Sequence, residues 1–194
     1  MIMNIRYVTT TRKKFNTVIS APFLVLFLFV FIPTVGGSSP VILAFGNSLT
    51  AGFGVPDNES YPSRLQNILI QNGYPHKVIN AGVSGDTTAG GLRRIKWLMK
   101  HTPEVVILEL GANDGLRGLS IKAMEFNLDK IIGICEEHGA KVLLTGMKVP
   151  PNYGEEYTVE FEKVFIRLAE KYDLSLVPFF LKGVAGVREH TQPD

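Results

Sequence analysis

Pro103-Glu104-Val105-Val106-Ile107-Leu108-Glu109-Leu110-Gly111 is the stretch on which the fold turns. Its apolar residues run consecutively instead of alternating with polar ones. A strand with that pattern is buried on both faces, which requires a parallel sheet flanked by helices. Working outward, the same signature recurs in Val41-Ile42-Leu43-Ala44-Phe45, in Lys77-Val78-Ile79, in Lys141-Val142-Leu143-Leu144-Thr145 and in Leu174-Ser175-Leu176-Val177. Between these runs, Ser63 to Gln71, Ala89 to Lys100, Ile121 to His138 and Glu156 to Tyr172 carry the helical period. Asn72-Gly73 ends the first helix, and Gly139 stands where the third must stop. The regular alternation predicts a three-layer α/β/α sandwich around a parallel five-stranded sheet. The last strand is followed by a loop and no final helix.

The chain of 194 residues suits one domain preceded by a leader. Residues 1–38 contain Arg6, Arg12, Lys13 and Lys14 and no acidic residue. An apolar run, Val18 to Ile32, follows, then Pro33 and the small residues Gly36, Gly37, Ser38 and Ser39. Basic, apolar, then small is the order of a secretory signal, and the run is short of the roughly 20 residues a membrane span needs. The expectation is an exported protein, periplasmic or secreted, with residues 18–35 as an alternative anchor and a working domain over 41–194. Removing the four leader cations turns the formal +2 into 16 basic against 18 acidic residues, or −2. Such a body gives no electrostatic reason to bind nucleic acid. Contact with a membrane surface would run through the N-terminal segment.

In open parallel sheets ligands bind beyond the carboxyl ends of the strands. The first strand leads into Gly46-Asn47-Ser48-Leu49-Thr50-Ala51-Gly52 and the second into Asn80-Ala81-Gly82-Val83-Ser84-Gly85-Asp86-Thr87. The third leads into Gly111-Ala112-Asn113-Asp114-Gly115. Together these offer a hydroxyl at a tight turn, a glycine amide ahead of a helix and a side-chain carboxamide. Those are the parts for acyl transfer: a nucleophile, Ser48, and donors for the oxyanion from Gly85, Asn113 and the Ser48 amide. Each motif taken singly also reads as an ordinary cap or turn. Only their joint placement argues for chemistry.

Ala44 to Gly54, Asn80 to Thr87 and Leu110 to Gly118 (LGANDGLRG) resemble blocks I, II and III of the SGNH/GDSL hydrolases. Lys148 to Gly154 (KVPPNYG) is similar to the subgroup of bacterial acyl-CoA thioesterase I, lysophospholipase L1 and arylesterase. The resemblance covers residues 41–194. It implies a flavodoxin-like SGNH fold, no metal or cofactor, and hydrolysis of small acyl esters, thioesters or lysophospholipids. It also implies Ser48 as nucleophile, with Ser48, Gly85 and Asn113 forming the oxyanion hole. The family has Asp where this chain has Asn47, a departure expected to alter local hydrogen bonding modestly. The family closes with Asp-x-x-His, and Gln192-Pro193-Asp194 resembles the approach to it. Asp194 is then the acid of a pair whose histidine falls three residues on, so a truncated sequence is expected. His190, on the wrong side of that turn, is not expected to substitute.

Two other readings stay open. One is a non-catalytic binding protein that keeps the site without the base. The other, a flavodoxin-like cofactor binder, lacks any Gly-x-Gly-x-x-Gly after the first strand. Leu116 and Tyr153 are candidates to line an acyl pocket. The remaining features have structural explanations. Trp97 is expected to pack its helix on the sheet, Arg93, Arg94 and Lys96 to form a solvated face, and Asp114 to hold a turn. Cys135 is expected to be a buried apolar residue, and the scattered His76, His101, His138 and His190 offer no zinc spacing.

Overall fold

A computed structural model of the chain describes residues 39–190. The leader and anchor assignments over 1–38, and Asp194, lie outside the described residues. Five strands form one sheet: β1 (Val41–Gly46), β2 (Lys77–Gly82), β3 (Val105–Glu109), β4 (Lys141–Thr145) and β5 (Ser175–Val177). They are all parallel and lie in the order β2-β1-β3-β4-β5. The connecting helices are α1 (Ser48–Ala51), α2 (Tyr61–Gln71), α3 (Thr88–Leu98), α4 (Ala112–Leu116), α5 (Ile121–Glu137) and α6 (Glu155–Tyr172).

The strand order dictates where the helices go. From β2 through β3 and β4 to β5 the chain always advances in one direction across the sheet. Right-handed crossovers therefore put α3, α5 and α6 on one face. The β1-to-β2 step runs the other way and sends α2 to the opposite face. On the three-helix side, Leu43, Phe45, Val106, Leu108 and Leu144 are buried against Ile95, Leu128, Ile131, Phe161 and Phe165. This is the core. The opposite face is less covered, with Ile42, Val105 and Leu143 only half-buried. Cys135 lies fully within the core, and burial pushes its thiol up to about 12.

Two details differ from the sequence reading. β2 extends beyond Ile79 to Gly82, because Asn80, Ala81 and Gly82 continue the pairing with Ala44, Phe45 and Gly46. The segments after β1 and β3 are not bare turns but single helical turns, α1 and α4. Elements of 4 and 5 residues are too short to display a period. The third helix stops as expected, with Gly139 in the left-handed conformation at φ 75°.

Candidate active site

The order β2-β1-β3 makes β1 the point where the chain reverses direction across the sheet, and the crevice beyond such a point is where ligands bind. The three turns named above leave these three neighbouring strands. Gly46 is in register with both Gly82 and Glu109, so the turns start at one level.

They are also bonded to one another. The Val83 amide donates to the Gly46 carbonyl at 3.0 Å, joining the second turn to the first. Asn113 Nδ2 donates to the Asp86 carbonyl at 2.9 Å, joining the third to the second. Arg94, on α3, locks the set. Its Nε meets Asp86 Oδ2 at 2.7 Å, one terminal nitrogen reaches Ala81 O at 2.6 Å, and the other reaches Gly46 O at 2.9 Å. The guanidinium also lies 4.3 Å from the centre of the Phe45 ring.

Within this frame each candidate has a defined place. Ser48 opens α1, capped by Asn47, whose Oδ1 accepts from the Leu49 amide at 3.0 Å. Gly85 is the third residue of the Val83–Asp86 turn, closed by Asp86 N to Val83 O at 3.0 Å. Its φ of 77° is the left-handed conformation that a type II turn demands there, which favours glycine. The amides of Ser48 and Gly85 meet no acceptor among the described residues. Asn113 is the second residue of α4 and uses one Nδ2 hydrogen on Asp86, leaving the other available.

Beneath Ser48 sits a buried acid. Glu109, the last residue of β3, is 0% exposed. It accepts from Asn47 N at 3.1 Å, Asn47 Nδ2 at 2.7 Å and Thr50 Oγ1 at 2.8 Å. Burial raises its carboxyl from the ordinary 4.5 to about 7, against the downward pull of those hydrogen bonds. Among the described residues no group of His, Cys, Asp and Glu is arranged to hold a metal ion.

The profile of the GDSL-like Lipase/Acylhydrolase family matches residues 44–194 of the chain. The chain belongs to this family. An arylesterase from Vibrio mimicus is 43% identical over 172 residues, covering 88% of this chain and 86% of that protein. Thioesterase 1/protease 1/lysophospholipase L1 of Escherichia coli (strain K12) is 36% identical, covering 84% of this chain and 76% of its own length. The crystal structure of AlinE4, an SGNH-hydrolase family esterase, superimposes with a TM-score of 0.78 at 49% identity. It covers 81% of this chain and 85% of that one.

Seen as a GDSL-like hydrolase, the chain corrects several expectations. Arg94 is not part of a solvated face: it binds two carbonyls and a carboxylate at the site. Trp97 does not pack on the sheet. It is 62% exposed and lies under the Lys100 ammonium. Asp114 is structural, as expected, yet it reaches beyond its own turn. Its carboxylate accepts the Thr88 amide at 2.9 Å and hydroxyl at 2.6 Å, tying α4 to the start of α3. Leu116, half exposed, lies beside Tyr153, whose hydroxyl donates to the Leu116 carbonyl at 2.6 Å. Glu109 and Arg94 are the residues that sequence reasoning missed. A carboxylate inside an apolar strand was the available signal for the first. For Arg94, two carbonyl partners 13 and 48 positions away left none.

Proposed function

We propose that this chain hydrolyses carboxylic esters or thioesters through an acyl-enzyme on Ser48. The Ser48 oxygen attacks the acyl carbon, and the carbonyl oxygen becomes negative. The Ser48 and Gly85 amides and the Asn113 carboxamide donate to it. The alcohol or thiol leaves with a proton, and water then releases the acid from Ser48. Asp194 is proposed to orient a histidine three positions on, which takes the Ser48 proton. The substrates proposed are aryl or short acyl esters and lysophospholipids, with Leu116 and Tyr153 beside the acyl chain. Residues 1–38 are proposed to direct export, which N-terminal sequencing of the protein from the periplasm or medium would check.

The observation that supports this reading is the bonding of three strand-end turns to one another, with the amides of Ser48 and Gly85 meeting no acceptor among the described residues. Preorganised donors of that kind are each worth roughly 2.7–4 kcal/mol in the transition state. The test is hydrolysis of p-nitrophenyl acyl esters by the protein carrying that histidine. Ser48→Ala is expected to abolish turnover, and Asn113→Ala to lower kcat by about 10²–10³. Undiminished turnover by Ser48→Ala overturns the proposal.

A further inference from the structure

Asn47 faces two ways, and its two ends are chemically different. Its Nδ2 points at Glu109 Oε1 at 2.7 Å, while its Oδ1 receives the Leu49 amide at 3.0 Å and lies 3.4 Å from Ser48 Oγ. Reversing the amide would set a carbonyl against a carboxylate and an NH2 against an N–H. One orientation alone satisfies both neighbours. The other Glu109 oxygen, Oε2, takes the Asn47 amide and the Thr50 hydroxyl, so this one carboxylate grips the start of α1 at three points. Gly46 leaves the room: a Cβ there would stand 2.5 Å from Glu109 Oε2.

We propose that Glu109 is a positioning residue, acting through the Asn47 amide to fix the turn that carries Ser48, and that asparagine at 47 frees this contact from any proton shared between two acids. The proposal rests on the reading of Ser48 as nucleophile. Its physical basis is the direction of the hydrogen bonds. Whether Glu109 is charged or neutral, Oε1 remains an acceptor for Asn47. A proton on Oε2 has Thr50 Oγ1 to donate to, and Thr50 can donate in turn to the Tyr61 hydroxyl 3.1 Å away. The ionisable groups around the carboxylate are Tyr61 of α2, reached through Thr50, and Arg94 of α3, bound to the Gly46 carbonyl and to Asp86. Among the described residues Glu109 makes no ion pair. Aspartate at 47 would put a second carboxylate against Glu109, and the pair would hold only while keeping one proton between them.

A polarity swap tests this. Equilibrium unfolding in urea is measured between pH 7.5 and 9.5 for the wild type, Asn47→Asp, Glu109→Gln and the double variant. In Asn47→Asp the unfolding constant is expected to rise about tenfold per pH unit relative to wild type until the pair releases its proton. Glu109→Gln is expected to be weakened at every pH, because either orientation of its amide meets a donor. The double variant restores matched donors and acceptors, since the carboxylate introduced at position 47 accepts from the carboxamide introduced at position 109 and from Leu49. It should regain most of the lost stability with no added pH slope. With p-nitrophenyl acetate, kcat should fall about tenfold or more in Glu109→Gln at nearly constant KM, and recover in the double variant. An Asn47→Asp protein that parallels the wild type across the range, or a double variant no better than Glu109→Gln, overturns the proposal. Should Glu109→Gln fail to fold, Asn47→Asp and the double variant still decide it. If the wild type hydrolyses no ester, the hydrolase reading falls, and the unfolding series still decides the contact between Asn47 and Glu109.

Discussion

Arg94 binds the ends of β1 and β2 and the Asp86 carboxylate with one rigid fork, and a lysine cannot reproduce that geometry. Asp86 is only 11% exposed at its side chain, so removing its partner leaves a nearly buried charge alone. Arg94→Met is therefore expected to lose about 3–5 kcal/mol in urea unfolding. Arg94→Lys should keep more of that stability, while kcat for an aryl ester falls about tenfold as the Gly85 turn loosens. Wild-type kcat in Arg94→Lys would show that the turn holds its shape without the fork. This residue marks a limit of reading sequence. Arg93 and Arg94 stand side by side in a helix and look alike, and only the fold gives one of them carbonyls to bind. Ser48, Gly85 and Asn113 could be singled out as candidates because their place just past a strand is itself a sequence feature. Asn47 was visible as a departure from the family, but its partner was not, since Glu109 is 62 positions away.

The strands and the longer helices were legible because each buries a face, and burial imposes a pattern on the residues. The short helices α1 and α4 were not, and both lie at the site. The end of α4 and the residues just after it, through Leu119, are held by two tyrosines from the chain after β4. The Tyr153 hydroxyl donates to Leu116 O at 2.6 Å, and the Tyr157 hydroxyl to Leu119 O at 3.1 Å, with the rings stacked 6.0 Å apart. A side chain proposed to line a pocket thus also braces the neighbouring segment. Tyr153→Phe keeps the ring and removes one hydrogen bond, worth about 0.5–1.5 kcal/mol. The expected result is a rise in KM of about threefold to tenfold for medium-chain esters, with kcat little changed. An unaltered KM across a chain-length series would remove Tyr153 from substrate binding.

At the scale of the whole molecule, Glu109 couples folding to pH. Its carboxyl is raised from 4.5 to about 7 by burial, so the folded protein holds a proton that the unfolded chain has released. Its support is complete below the unfolded value and is withdrawn as pH climbs through about 7. The decline should total about 3 kcal/mol across that window. Glu125 and Asp129 work the other way. Hydrogen bonding to Arg167 holds Glu125 low, and Asp129 is lowered through Lys171 and Tyr172 despite partial burial. Their contribution is lost as pH falls toward the acid range. Maximum stability is therefore expected in mildly acidic solution, and melting curves from pH 4 to 8 would locate it. Glu109→Gln should flatten the side above the maximum, and an unchanged slope would mean that another group carries it.

The strand order has a practical consequence. The proposed nucleophile and oxyanion donors all follow three adjoining strands, whereas the tips of β4 and β5 contribute none of them. Among the described residues, the stretch from Gly146 to Gly154 makes no hydrogen bond to the turns that bear Ser48 and Gly85. Its ties run to β5, to α6 and to Leu116. The proposed chemistry thus gathers at the tips of β1, β2 and β3, whereas the stretch carrying the proposed pocket residue Tyr153 follows β4. On the proposed pocket, transplanting that stretch from a relative is expected to retune which acyl groups are accepted while the bonds among the Ser48, Gly85 and Asn113 turns stay intact.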